Sequence, residues 1–156
     1  MNIGEVCTRE VYIVAPGEAL TQAAREMLRR HVGAIVVVQP EGKLVLPVGI
    51  VTDRDIVREQ LSRDADLRSL KVADVMSKDL LTLADTSEVS EAIERMSSKA
   101  VRRAPVVSGS GDLVGIVSLD DLLAVMMEEF SGLARLVAAQ PKRERAVAQG
   151  ATARHA

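Results

Sequence analysis

Aromatic residues are almost absent from this chain: Tyr12 and Phe130 stand alone, and tryptophan is missing. That excludes a ligand or nucleic-acid surface built on stacked rings. Any planar ligand must lie mainly between aliphatic side chains. Cysteine is as scarce, since Cys7 is alone, so no internal disulfide and no cysteine-rich zinc site can form, and the composition fits the cytoplasm. His31 and His155 are the only histidines, and neither shares a helical face with an acidic or sulfur ligand. Their expected roles are structural or superficial, and no metal site is expected.

Charge of one sign is also lacking. With 20 basic and 22 acidic residues and a net charge of -2, the chain offers no broad basic field, which argues against nucleic acid as a partner. No apolar run approaches the roughly 20 residues of a membrane-spanning helix. The first residues, Met1 to Glu5, lack a basic segment followed by an apolar one. The reading is a soluble intracellular protein with no membrane partner.

What the chain does contain is a phrase stated twice. Gly49-Ile50-Val51-Thr52-Asp53-Arg54-Asp55 returns as Gly115-Ile116-Val117-Ser118-Leu119-Asp120-Asp121. Laid on itself, the sequence also pairs Val6 with Val75, Ala15 with Ala84, Ala23 with Ala92, Met27 with Met96, Val32 with Val101 and Val38 with Val107, without a gap. The first copy then carries three extra residues between Gln39 and Pro47, a stretch with Pro40 and Gly42 that reads as a turn. This is an internal duplication.

Each copy reads as strand, helix, strand, strand, helix. Val11 to Val14 and Leu80 to Leu83 are β-prone; Leu20, Ala23, Ala24, Met27, Leu28 and Val89, Ala92, Ile93, Met96 then follow helical spacing. Ala34 to Val38 with Val48 to Val51, and Ala104 to Val107 with Leu113 to Val117, are nearly uncharged strands of the kind that helices cover. Second helices open at Asp53 and Leu119. The organisation is repeat 1 over 1–61, a linker over 62–71, repeat 2 over 72–138 and a mobile tail over 139–156. Within repeat 2 the final helix outruns its counterpart, with Met126, Phe130, Leu133 and Val137 continuing the apolar stripe. The first copy has no surface equivalent to bury it, so a homodimer is expected.

At each repeated corner, Thr52 or Ser118 takes the N-cap position and Asp55 or Asp121 the N3 position of a capping box. Capping alone explains both, at about 1 kcal/mol per cap. The same groups also suit a nucleotide. A helix N-terminus favours a phosphate, a hydroxyl beside it can donate to phosphate oxygen, and an aspartate can accept from both hydroxyls of a ribose.

The duplicated pattern closely resembles a tandem pair of CBS (cystathionine-β-synthase) domains, a Bateman module. The resemblance extends over about residues 3 to 137 and includes Glu5-Val6-Cys7-Thr8-Arg9-Glu10 with Asp74-Val75-Met76-Ser77-Lys78-Asp79, and Val32-Gly33-Ala34-Ile35-Val36-Val37 with Val101-Arg102-Arg103-Ala104-Pro105-Val106. It implies an α/β fold of two βαββα repeats packed sheet to sheet about a pseudo-two-fold axis, here with an extended C-terminal helix. It implies clefts for adenosine-containing ligands such as AMP, ATP, NAD or S-adenosylmethionine, as regulatory ligands with no cofactor required. Carried over by position, Asp55 and Asp121 match the ribose-binding aspartates and Thr52 and Ser118 the neighbouring hydroxyls. The segments Ala34, Ile35, Val36 and Arg103, Ala104, Pro105 match those beside the base.

The copies depart from each other where Val36 replaces the usual proline kept as Pro105. The second cleft is therefore the better site. Arg102 and Arg103 are candidates for a phosphate there, although paired arginines at such a junction are more often solvated. No phosphate loop, nucleophile elbow or zinc-protease helix is present, so no enzymatic activity is expected. The expectation is a stand-alone regulatory module that signals to a separate effector protein. The alternative is a dimerising structural or interaction module with the same fold and no nucleotide.

Overall fold

The computed structural model describes the backbone of residues 1–63 and 66–152, and side chains over 1–62 and 66–139. Met1–Leu119 form one compact unit and the chain from Asp120 onward a second. Repeat 1 comprises α1 (Ile3–Val6), β1 (Ile13–Val14), α2 (Leu20–Arg30), β2 (Ala34–Glu41), β3 (Leu44–Thr52) and α3 (Asp53–Arg63). After a 3-10 turn at Leu67–Ser69 come α4 (Val72–Val75), β4 (Leu83–Ala84), α5 (Val89–Ser98), β5 (Arg103–Val107), β6 (Leu113–Ser118) and α6 (Leu119–Thr152).

Two three-stranded sheets result, ordered β1-β2-β3 and β4-β5-β6. In each, the first pair is parallel and the second antiparallel. A parallel pair needs a crossover, which α2 and α5 supply, whereas β2 and β3 join as a hairpin. The two sheets, both within Met1–Leu119, pack on each other about a pseudo-two-fold axis.

Spacing decides what each element buries. Leu20, Ala23 and Met27 of α2 pack with Ile35 and Val37 of β2, Val51 of β3 and Ile56 of α3 in one core cluster, and each fully buried aliphatic side chain contributes about 1.5–3 kcal/mol. Because strand side chains alternate, Ala34, Val36 and Thr52 fall on the opposite face of that sheet. Both first helices end alike, with His31 at φ 55° and Ala100 at φ 52°. Val32 and Val101 then donate back to the carbonyls of Met27 and Met96, at 3.1 and 3.0 Å. This is the left-handed helix stop usually given to glycine.

The structure departs from the sequence reading in several places. β1 and β4 are shorter than Val11–Val14 and Leu80–Leu83, since each parallel ladder has only two residue pairs. The stretch Gln39 to Pro47 is not simply a turn; it lengthens the β2–β3 hairpin, which reverses beside Gly42 at φ 63°. Pro40 pairs with Val45 and Pro47 with Val38, past a bulge at Val37/Val38. Pro40 is tolerated because β1 reaches only Val36 and Val37 along β2, and Pro47 because β3 is an edge strand of the sheet. Val45 turns its N–H outward to Asp112 Oδ1 of repeat 2, at 2.7 Å. In the segment expected as a tail over 139–156, the backbone is helical as far as Thr152, and residues 153–156 lie outside the described residues.

The short helices α1 and α4 have no counterpart in the sequence reading. Each docks on the other repeat. Ile3 and Gly4 donate to the carbonyls of Ser87 and Asp85, both at 2.8 Å, while Val72 and Ala73 donate to Glu18 and Pro16, at 3.0 and 2.9 Å. Beyond them, Thr8 exchanges two 2.9 Å backbone bonds with Ile116, and Ser77 does the same with Ile50 at 2.9 and 3.2 Å. This exchange explains the glycine that opens the repeated phrase. A Cβ on Gly115 would sit 2.6 Å from Cys7 Sγ and 2.9 Å from the Thr8 carbonyl; one on Gly49 would sit 2.7 Å from Met76 Sδ and 3.0 Å from the Ser77 carbonyl.

Candidate nucleotide site

The first corner is built by β3 running directly into α3. Thr52, the last residue of β3, lies opposite Ala34, the first of β2. The amide of Asp53 donates to Gly33 C=O at 3.2 Å, so the first helical N–H is satisfied by the neighbouring strand's lead-in. Thr52 and Asp55 then lock together: Asp55 N–H donates to Thr52 Oγ1 at 3.1 Å, while Thr52 N–H and Oγ1–H donate to Asp55 Oδ2 at 3.0 and 2.7 Å. This is a complete capping box. Its Oδ2 is fully occupied.

The other carboxylate oxygen is in a different situation. Among the described residues, Asp55 Oδ1 accepts only from Arg58, at 3.1 Å, and Arg58 is 73% exposed against 17% for Asp55. An ion pair with so exposed an arginine contributes about 0–1 kcal/mol. Hydroxyl donors of a ligand can displace it without disturbing the cap. The corner therefore offers a fixed carboxylate with one exchangeable oxygen, next to the positive end of a helix.

The second corner repeats the backbone plan. Ser118 ends β6 opposite Arg103, and the amide of Leu119 donates to Arg102 C=O at 2.9 Å. Ser118 is half-buried, and Asp121 is half-buried in the first turn of α6. Arg102 and Arg103 are exposed, whereas Ala104 and Pro105 are buried.

Segments 34–36 and 103–105 differ in one bond. Val36 donates its N–H to Tyr12 C=O at 3.0 Å. Pro105 holds the corresponding place in repeat 2 and has no N–H to give. Ile35 points into the helical core rather than with Ala34 and Val36.

Among the described residues, two surface cavities of repeat 1 stand out, and neither is lined by Thr52 or Asp55. One, of about 360 Å³, is lined by Glu10, Tyr12, Glu26, Arg30 and Ile35 among others; Arg30 lies 4.1 Å over the Tyr12 ring. Hydrogen bonds from Arg29 and Arg30 hold the Glu26 carboxyl below its usual range. The other, of about 470 Å³, is lined by Met27, His31, Gly33, Asp53 and Val57 among others. The sequence reading assigns none of these residues except Ile35 to a site, and only the single Tyr12 beside Glu10 hinted at the first cavity. Among the described residues, no group of three or more His, Cys, Asp or Glu side chains converges for a metal ion, and no helix is long and apolar enough to cross a membrane.

Two exchanged α/β repeats, each ending its last strand on a hydroxyl residue, Thr52 or Ser118, define a paired-repeat module. Residues 3–62 and 72–128 match the CBS domain family, and the chain belongs to it. A protein of uncharacterised function from Methanopyrus kandleri is 34% identical over 125 residues, covering 80% of this chain and 62% of that protein. The chain thus spans less than two thirds of that relative. The CBS domain-containing protein YhcV of Bacillus subtilis is 33% identical over 83% of this chain and 89% of its own length. Among solved structures, the CBS domain pair of protein MJ0100, in complex with 5′-methylthioadenosine and S-adenosyl-L-methionine, superposes with a TM-score of 0.71 at 19% identity, covering 83% of this chain and 98% of that one.

Proposed function

We propose that this chain is a regulatory module that binds an adenosine-containing ligand at the repeated corners and relays its occupancy to an effector protein. The observation that carries the reading is the Asp55 carboxylate, held through Oδ2 by Thr52 and, among the described residues, opposed at Oδ1 only by an exposed arginine. A ribose diol supplies two hydroxyl donors suited to that oxygen, and a phosphate suits the adjoining helix N-terminus. Asp121 and Ser118 take the same roles in repeat 2. There Pro105 leaves the carbonyl edge of the preceding segment without a strand donor, which favours an adenine amino group. The ligands in the MJ0100 complex are of this chemical class. The module, repeats 1–61 and 72–138 joined by 62–71, works as a cytoplasmic homodimer without catalysis. A ligand shifts its conformational equilibrium by the difference in affinity between states.

A second reading has its own support: Thr52 and Asp55 Oδ2 already satisfy each other, as a purely structural corner requires. Thermal unfolding with AMP, ADP, ATP, NAD and S-adenosylmethionine separates the two. A ligand at 100 times its Kd stabilises by about 2.7 kcal/mol, and Asp55→Ala and Asp121→Ala each remove the contribution of their own corner. No shift with any of these, in protein shown to be ligand-free, leaves the structural reading.

A further inference from the structure

α6 is 34 residues long, a span of about 50 Å, and helices beyond about 25 residues usually have a helical partner. Its apolar residues Leu123, Met126, Phe130, Leu133 and Val137 alternate steps of three and four. That is the 3.5-residue repeat of a coiled-coil seam, narrower than the face a helix turns to a globular core. All five are exposed, from 38% at Met126 to 67% at Val137, and beyond Leu122 no described side chain of the helix is buried. Met127 and Leu136, also exposed, flank the seam.

Charge along the helix is uneven. Asp120, Asp121, Glu128 and Glu129 lie towards its start, while Arg135, Lys142, Arg143 and Arg145 lie towards its end, with Glu144 the only acid among them. Parallel copies set like charge against like. Antiparallel copies set the acidic half of one against the basic half of the other.

We infer that α6 pairs with α6 of a second copy of this chain as an antiparallel two-helix coiled coil, with Phe130 facing Leu133 and Met126 facing Val137 across the seam. The inference rests on the homodimer of the functional reading and specifies its geometry, but needs no nucleotide. Cross-linking without ligand therefore fails or succeeds independently of the binding assay.

The test uses the full chain with Cys7→Ser, carrying either Met126→Cys or Val137→Cys on differently tagged copies. In the antiparallel pair the two positions 126 are separated by about 16 Å along the helix, beyond the reach of a disulfide. Mild oxidation is expected to link only the mixed sample. Light scattering is expected to give a dimer for the unaltered chain and a monomer for Phe130→Glu/Leu133→Glu, whose circular dichroism stays that of a folded α/β protein. Disulfides from either cysteine variant alone, no disulfide in the mixture, a monomeric unaltered chain, or a dimer that survives both glutamates would each overturn the pairing.

Discussion

Repeat 1 closes its parallel ladder with the bond from Val36 N–H to Tyr12 C=O, and extends its hairpin until Val45 reaches Asp112 of the other repeat. Repeat 2 has Pro105 in place of Val36 and joins β5 to β6 through a short turn, with Val107 and Leu113 already paired. The backbone plans otherwise match at each junction: left-handed helix stops, reciprocal lead-in segments and glycines under the partner's sulfur atom. What differs is where polar backbone groups end. The first half spends the Val36 N–H on its own sheet, and the second has no N–H to spend at Pro105. Duplication has preserved the scaffold while this part of the sheet has diverged.

The shared part of this comparison breaks most severely at the exchange glycines. Gly115→Ala is expected to cost about 2–3 kcal/mol, because the added Cβ meets the rigid Thr8 carbonyl at 2.9 Å. Gly49→Ala should cost less, about 1–2 kcal/mol, since its Cβ meets the Ser77 carbonyl at a slightly longer 3.0 Å and otherwise the flexible Met76 side chain. Equilibrium urea denaturation of both variants measures the difference; equal effects would mean that the two junctions are equally rigid. Thr52→Ala removes the hydroxyl from the first capping box and should lose about 1 kcal/mol in the same assay.

The smallest expected effect is a gain. Ala100 adopts φ 52° with no side-chain benefit, so Ala100→Gly should stabilise the protein by about 0.5–1 kcal/mol, visible as a small rise in Tm. A fall would show that Ala100 makes a packing contribution larger than its backbone strain. The divergent part is probed by Pro105→Val. Restoring a strand N–H should leave urea stability close to that of the parent, while nucleotide affinity at the second corner falls severalfold in a calorimetric titration.

Much of this fold was legible in the sequence because the duplication states each element twice. The starts of α3 and α6 at Asp53 and Leu119 followed from the end of an apolar run at a hydroxyl. The exchange of α1 and α4 was not legible. Four-residue helices carry too little periodicity, and their hydrogen bonds go to backbone carbonyls of distant segments, which any side chain permits. The glycines recorded that close approach, but a lone glycine in a strand also signals a bulge or a turn. The hairpin extension was hidden by Pro40 and Pro47, whose usual meaning changes on strands that lack a neighbour. At the corner, Thr52 and Asp55 were found as a pair, but the unequal roles of the two carboxylate oxygens depend on Arg58, which only the helix turn brings into place.

The central claim, that the capped corners bind an adenosine ligand with repeat 2 the stronger site, is tested most directly by isothermal titration of ligand-free protein with whichever panel member gives the largest thermal shift. The account predicts that Asp121→Ala removes the tighter binding event and Asp55→Ala the weaker one, with both variants folded. Unchanged titration of the double variant Asp55→Ala/Asp121→Ala would contradict it.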